Sequence, residues 1–201
     1  FIVAFFAIFF GAATEMLIVQ WGSSYLEEGL GLSKTLGDVV GLCFFAAMLA
    51  AARLLYAKKG GRANLNTLMI GGSLACVVLY AVVALAPAAW LVLLAFGLIG
   101  LCSAMLWTGT LVVSADTLPK TGALIFALLA GGGDLGIAVS GQLVGWLSDL
   151  FTARAPADMV AEHYGLRTAM AVIIVVPVMS LVLQVALKRL APHRAAEAAG
   201  G

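Results

Sequence analysis

Long apolar runs follow one another along the chain, separated by short polar joints, and this alternation sets the fold class before any motif is considered. A hydrocarbon core of about 30 Å takes about 20 helical residues. Six runs meet that length and predict membrane spans near 1–25, 36–57, 64–85, 89–113, 122–147 and 167–190. Their joints are a polar, Gly-rich stretch at 27–34, a basic Gly turn at 58–62 and a minimal hairpin at 86–87. Residues 114–121 carry Asp116 and Pro119, and 148–166 form the one long loop. The expected fold is an all-α membrane protein, six transmembrane helices in one bundle over 1–192, with a disordered cytoplasmic tail at 193–201 that has nothing large to bury.

Composition agrees, with 63% hydrophobic residues, 10% charged residues and a mean hydropathy of +1.11. A formal net charge of +1 without a basic patch gives no footprint for nucleic acid. Cys43, Cys76 and Cys102 sit singly in apolar runs with no CxxC spacing and read as packing residues. Phe1 opens directly into an apolar run with neither Met nor a basic leader, so the chain is expected to be a fragment or one half of a longer protein.

Basic residues orient the spans. Lys58, Lys59, Arg62, Lys120, Lys188, Arg189 and Arg194 fall on one side, joined by Arg53 at a helix end, against Lys34, Arg154 and Arg167 on the other. Lys and Arg are retained on the cytoplasmic side, which makes both chain ends cytoplasmic and leaves the loop with His163 outside. The membrane expected is the cell membrane.

Two acids lie well inside the spans, Glu15 in the first and Asp134 in the fifth, at what the span lengths give as a shared depth. An ionised carboxylate at a helix centre costs about 2.5–3.5 kcal/mol to insert, so it faces protein or a water-filled path. With no Lys or Arg at the same level, each is a candidate to bind and release protons; the alternative is an acid that only stabilises packing. Gly132 with Gly136, and Gly141 with Gly145, repeat the four-residue spacing that lets another helix approach closely.

Neutral hydrogen-bonding groups and indoles accompany the acids: Gln20 and Trp21 on the first span, Trp107 on the fourth, Gln142 on the fifth and Gln184 on the sixth. Gln142 follows Asp134 on the same helix face. Amides pair with hydroxyls while aromatic faces cover C–H surfaces, a set suited to an uncharged polyhydroxylated solute. An equally open reading makes Trp21, Trp90 and Trp146 residues of the membrane interface. An enzyme is not expected, because His163 and His193 lie outside the spans and cannot serve an intramembrane nucleophile. No metal cluster or cofactor motif is present in the sequence, and AGGGDLG has no preceding strand to make it a dinucleotide fingerprint.

These residues together resemble the C-terminal six-helix half of a major facilitator superfamily transporter. Gly11-x3-Glu15-x5-Trp21-x3-Tyr25-Leu26 is similar to the seventh helix of the fucose-permease-like, sugar:proton symporter branch. Ala52-Arg53-Leu54-Leu55-Tyr56 running into Lys58-Lys59-Gly60-Gly61-Arg62 resembles the superfamily's cytoplasmic loop motif, with Lys58 where the fuller motif has an acid. The Gly-rich fifth span ending Gly145-Trp146-Leu147-Ser148-Asp149 resembles helix 11.

The resemblance implies alternating access about a central site shared with an N-terminal six-helix half, whose inter-bundle face this chain presents. It implies a small polar solute, a sugar first, held by Gln20, Trp21, Trp107 and Gln142. Protons would couple through Glu15 and Asp134, and Arg53 and Arg62 would belong to the conformational loop. Two other readings remain open: a homodimeric half-size transporter, and a six-helix scaffold or receptor that does not transport.

Overall fold

A computed structural model describes the backbone of residues 1–28, 30–58, 64–117 and 122–199, and the side chains of these except 36, 115–117, 122 and 191–199. The described chain is all helix, without a strand. Its α-helices are α1 (Ile2–Glu28), α2 (Cys43–Lys58), α3 (Leu65–Leu85), α4 (Ala89–Ser103), α5 (Leu106–Thr117), α6 (Gly122–Thr152), α7 (Ala161–Val172) and α8 (Val175–Ala199). A π-helical segment, Leu36–Leu42, leads into α2. Six stretches are long and apolar enough to cross a bilayer: Ile2–Glu28, Gly37–Lys58, Leu65–Leu85, Ala89–Ser114, Ala123–Thr152 and Ala161–Leu190. The chain is thus built as a multi-pass membrane protein, and the expected spans overlap the observed ones in order.

The differences have local causes. The final span is split at Ile173–Ile174, between α7 and α8. Pro177 has no N–H, and its ring presses on the carbonyl four residues back, that of Ile173. The span also begins at Ala161, so His163 lies in the first turn of α7 rather than in a loop, and the connection after α6 shortens to 153–160. At the other end α8 runs on as helix to Ala199, through residues whose composition reads as disordered tail. The fourth span breaks at Ala104–Met105, where neither Gly nor Pro stands.

Elsewhere the turn chemistry is legible. Gly31, at φ 68°, turns the chain after α1 in a conformation that disfavours a side chain. The Asn64 side chain caps α3 by accepting from the Thr67 N–H at 3.3 Å. Ala86–Pro87–Ala88 separates α3 from α4.

The centre of the bundle is α1, which packs on α6, α8, α5 and the π-helical segment. Its core residues Ile8, Leu17, Ile18, Tyr25 and Leu26 are fully buried. Buried hydroxyls tie it across the bundle: Tyr80 donates to the Thr14 carbonyl at 2.7 Å, and Tyr25 donates to the Val83 carbonyl. On the far side α8 is held by Gln184 Nε2 on Thr110 Oγ1 at 2.9 Å and by the Ser73–Ser180 hydroxyl pair at 3.3 Å. In an apolar surround such bonds have little competition from water, and they fix which helix faces meet.

Candidate functional site

The four glycines of α6 singled out by spacing all face α1. A Cβ on Gly132 would meet the Phe5 ring, and one on Gly136 would fall on the Phe9 carbonyl. One on Gly141 would fall on the Gln20 amide, and one on Gly145 would stand 3.3 Å from the Trp21 ring. Small residues therefore bring two parallel helices close, and α1 lays its polar residues against α6 at one end of the contact.

There an open cleft of about 310 Å³ is lined by Gln20, Trp21, Ala138, Gly141 and Gln142. Trp21 Nε1 donates to the Gly141 carbonyl at 3.1 Å, which fixes the indole across the two helices. Both glutamines are exposed, and neither has a hydrogen-bond partner among the described residues. Two amides and one half-buried aromatic face thus converge on an empty space, an arrangement that can accept and donate several hydrogen bonds around an apolar surface.

Asp134, Ala138 and Gln142 follow one another at helical spacing, and all three are exposed. The acid stands on the cleft's side of α6 with no partner among the described residues. Three of the four candidate solute residues are gathered; the fourth lies apart. Trp107 on α5 packs on Gly133, its indole nitrogen 3.0 Å from where a Cβ would stand, about 12 Å along α6 from Gly141 at 1.5 Å per residue. Its indole N–H is buried and has no hydrogen-bond partner among the described residues.

Glu15 departs from expectation in one respect. It is not without a basic partner: its side chain is 0% exposed, and Oε1 accepts from Arg53 Nη2 at 2.8 Å. Oε2 is buried without a hydrogen bond among the described residues.

Arg53, expected at a helix end as part of a loop motif, instead lies inside α2 and turns inward. Its Nε donates to the Ala104 carbonyl at 3.2 Å, at the break between α4 and α5, where Thr108 Oγ1 also donates at 3.2 Å. One guanidinium thereby joins α1, α2 and the α4–α5 break. Arg62, the second basic residue assigned to the loop motif, lies outside the described residues.

The sequence reading missed this pairing, although an Arg set among Ala52, Leu54 and Leu55 inside an apolar run was a signal that it needs a buried anion. Among the other polar candidates, Gln184 belongs to the interior, its Oε1 without a partner among the described residues. Compared with known protein families, curated proteins and solved structures, the chain matches none.

Proposed function

We propose that this chain is the C-terminal half of a secondary transporter with the major facilitator architecture, moving a small polar solute, a sugar first, by alternating access with proton coupling. The observation that carries the reading is the cleft in which Gln20, Trp21 and Gln142 converge while Asp134 stands exposed on the same side of α6. An open polar cleft against two membrane helices needs a second surface to close it, and an N-terminal six-helix bundle would supply that surface and the other half of the solute site. Asp134, unpaired and beside the cleft, is the group placed to exchange a proton as the solute binds. Glu15, held by Arg53 within the bundle, maintains the arrangement of helices rather than meeting solute. No covalent chemistry is required of any residue, so the protein acts as a carrier and not as an enzyme.

The test is uptake of labelled monosaccharides by full-length protein in vesicles under an imposed pH gradient. Gln142→Ala and Gln20→Ala are each expected to lower apparent affinity about ten-fold, the loss of one or two hydrogen bonds to solute. Asp134→Asn is expected to abolish accumulation driven by the gradient while leaving solute exchange intact. Uptake insensitive to both glutamines would remove the cleft from the solute path. Gradient-driven accumulation unchanged in Asp134→Asn would remove the acid from coupling.

A further inference from the structure

A second concavity lies away from the cleft, between α2, α3 and α4, with a volume of about 350 Å³. Leu55 and Tyr56 line it from α2, Leu68 and Gly71 from α3, Leu101 from α4 and Met105 from the α4–α5 break. Its walls are apolar, and they are open: Leu55 is 56% exposed and Leu68 41%. The floor is closed because α3 and α4 touch at Gly72, where a Cβ would fall on the Cys102 carbonyl. The groove itself is kept empty by Gly71, where a Cβ would meet nothing within 4 Å. Glycine in the interior of a helix costs about 1 kcal/mol against alanine, and at Gly71 no helix contact requires it.

Charge marks one end of this groove. Leu55 and Tyr56 belong to the last turn of α2, which ends at Lys58, an exposed residue with no hydrogen bond or ion pair among the described residues. Leu68 stands in the first turn of α3, next in the chain to Thr67, whose Oγ1 lies 3.5 Å from Lys188 Nζ. A Tyr at such a level suits the boundary between tail and headgroup, where one end of the ring is apolar and the other wet.

We propose that this groove is a site for one anionic phospholipid, with an acyl chain laid between α2, α3 and α4 and the headgroup phosphate at Lys58. The inference goes beyond the transport reading and rests only on the chain's passage through a bilayer. A convex helix face gathers lipid without selection. A floored groove with a free ammonium at its rim selects both for a chain that fits and for negative charge, each basic residue near the surface being worth about a five-fold preference.

The experiment uses purified full-length protein in nanodiscs, doped with phosphatidylglycerol or phosphatidylcholine that carries a photoactivatable group on one acyl chain, and maps the cross-links by mass spectrometry. Cross-links are expected at Tyr56, Leu68 and Met105, about five-fold stronger with phosphatidylglycerol. Lys58→Gln is expected to bring the two lipids towards equal labelling at the same residues. Gly71→Leu is expected to remove labelling there and leave it on other exposed faces. Labelling spread evenly over exposed leucines, or equal for both lipids in the unaltered protein, would overturn the site. Because Lys58 is exposed on the surface, its variant decides the question even where Gly71→Leu does not fold.

Discussion

Replacing Arg53 with Met is expected to lower stability by about 3 kcal/mol, measured by denaturant titration in mixed micelles. The substitution nearly preserves volume, so the loss comes from charge. Glu15 is fully buried, with one oxygen already unpartnered and the other bonded only to Arg53. Removing the guanidinium strands a buried carboxylate, and it also withdraws a donor from the Ala104 carbonyl at the α4–α5 break. Breaking a buried pair from one side costs about 3–5 kcal/mol, and the lower figure applies because the Arg53 side chain is 38% exposed.

Two companion variants separate the pair from the packing. Glu15→Gln with Arg53→Met is expected to recover most of the loss, since a neutral amide is far cheaper to bury than a lone carboxylate. Arg53→Lys is expected to fall between, because one ammonium on a flexible stem does not reproduce the guanidinium fork that meets two acceptors on different helices. Equal stability of Arg53→Met and the unaltered protein would sink this account. So would a double variant whose loss is the sum of the two single losses.

That ion pair also shows where a one-dimensional reading stops. The spans were legible because length and apolarity are local properties, and the glycine face of α6 was legible because four-residue spacing fixes a helix face. Gln142 could be placed beside Asp134 on the same ground. Opposing Gln20 and Trp21 to Gln142 requires the rotation of α1 against α6, which is set by contacts such as Phe9 on Gly136 and has no signature in either helix alone.

The two helix breaks divide in the same way. Pro177 carries the signal for the break at Ile173–Ile174 in its own ring, although an uninterrupted span was the simpler expectation. The break at Ala104–Met105 has neither Gly nor Pro, and its local contact is the Thr108 hydroxyl, which donates to the Ala104 carbonyl at 3.2 Å. Its carbonyl is met by Arg53, from a helix some fifty residues earlier, and only the assembled bundle brings them together. Side chains that reach into a helix's hydrogen-bond ladder are a recognised cause of such breaks.

The close seam between α1 and α6 yields the other large effect. Gly136→Ala is expected to cost about 2 kcal/mol, and Gly136→Leu to leave no monodisperse protein on size-exclusion chromatography. Over-packing is cheap when the obstructing atom ends a flexible side chain, but here the added Cβ falls on the Phe9 carbonyl. No change of side chain at Phe9 relieves that contact. The helices must move apart, and the Trp21 bond to the Gly141 carbonyl further along the same seam is strained with them. The control is one position in the same glycine run: a Cβ on Gly131 meets nothing within 4 Å, so Gly131→Ala is expected to raise stability by up to about 1 kcal/mol, the helix preference of alanine over glycine. Equal tolerance at Gly131 and Gly136 would mean that the seam is looser than its geometry. A loss at Gly136 alone would tie the shape of the cleft to the distance between two backbones, because the same glycine contacts that hold α1 on α6 also set the space between Gln20 and Gln142.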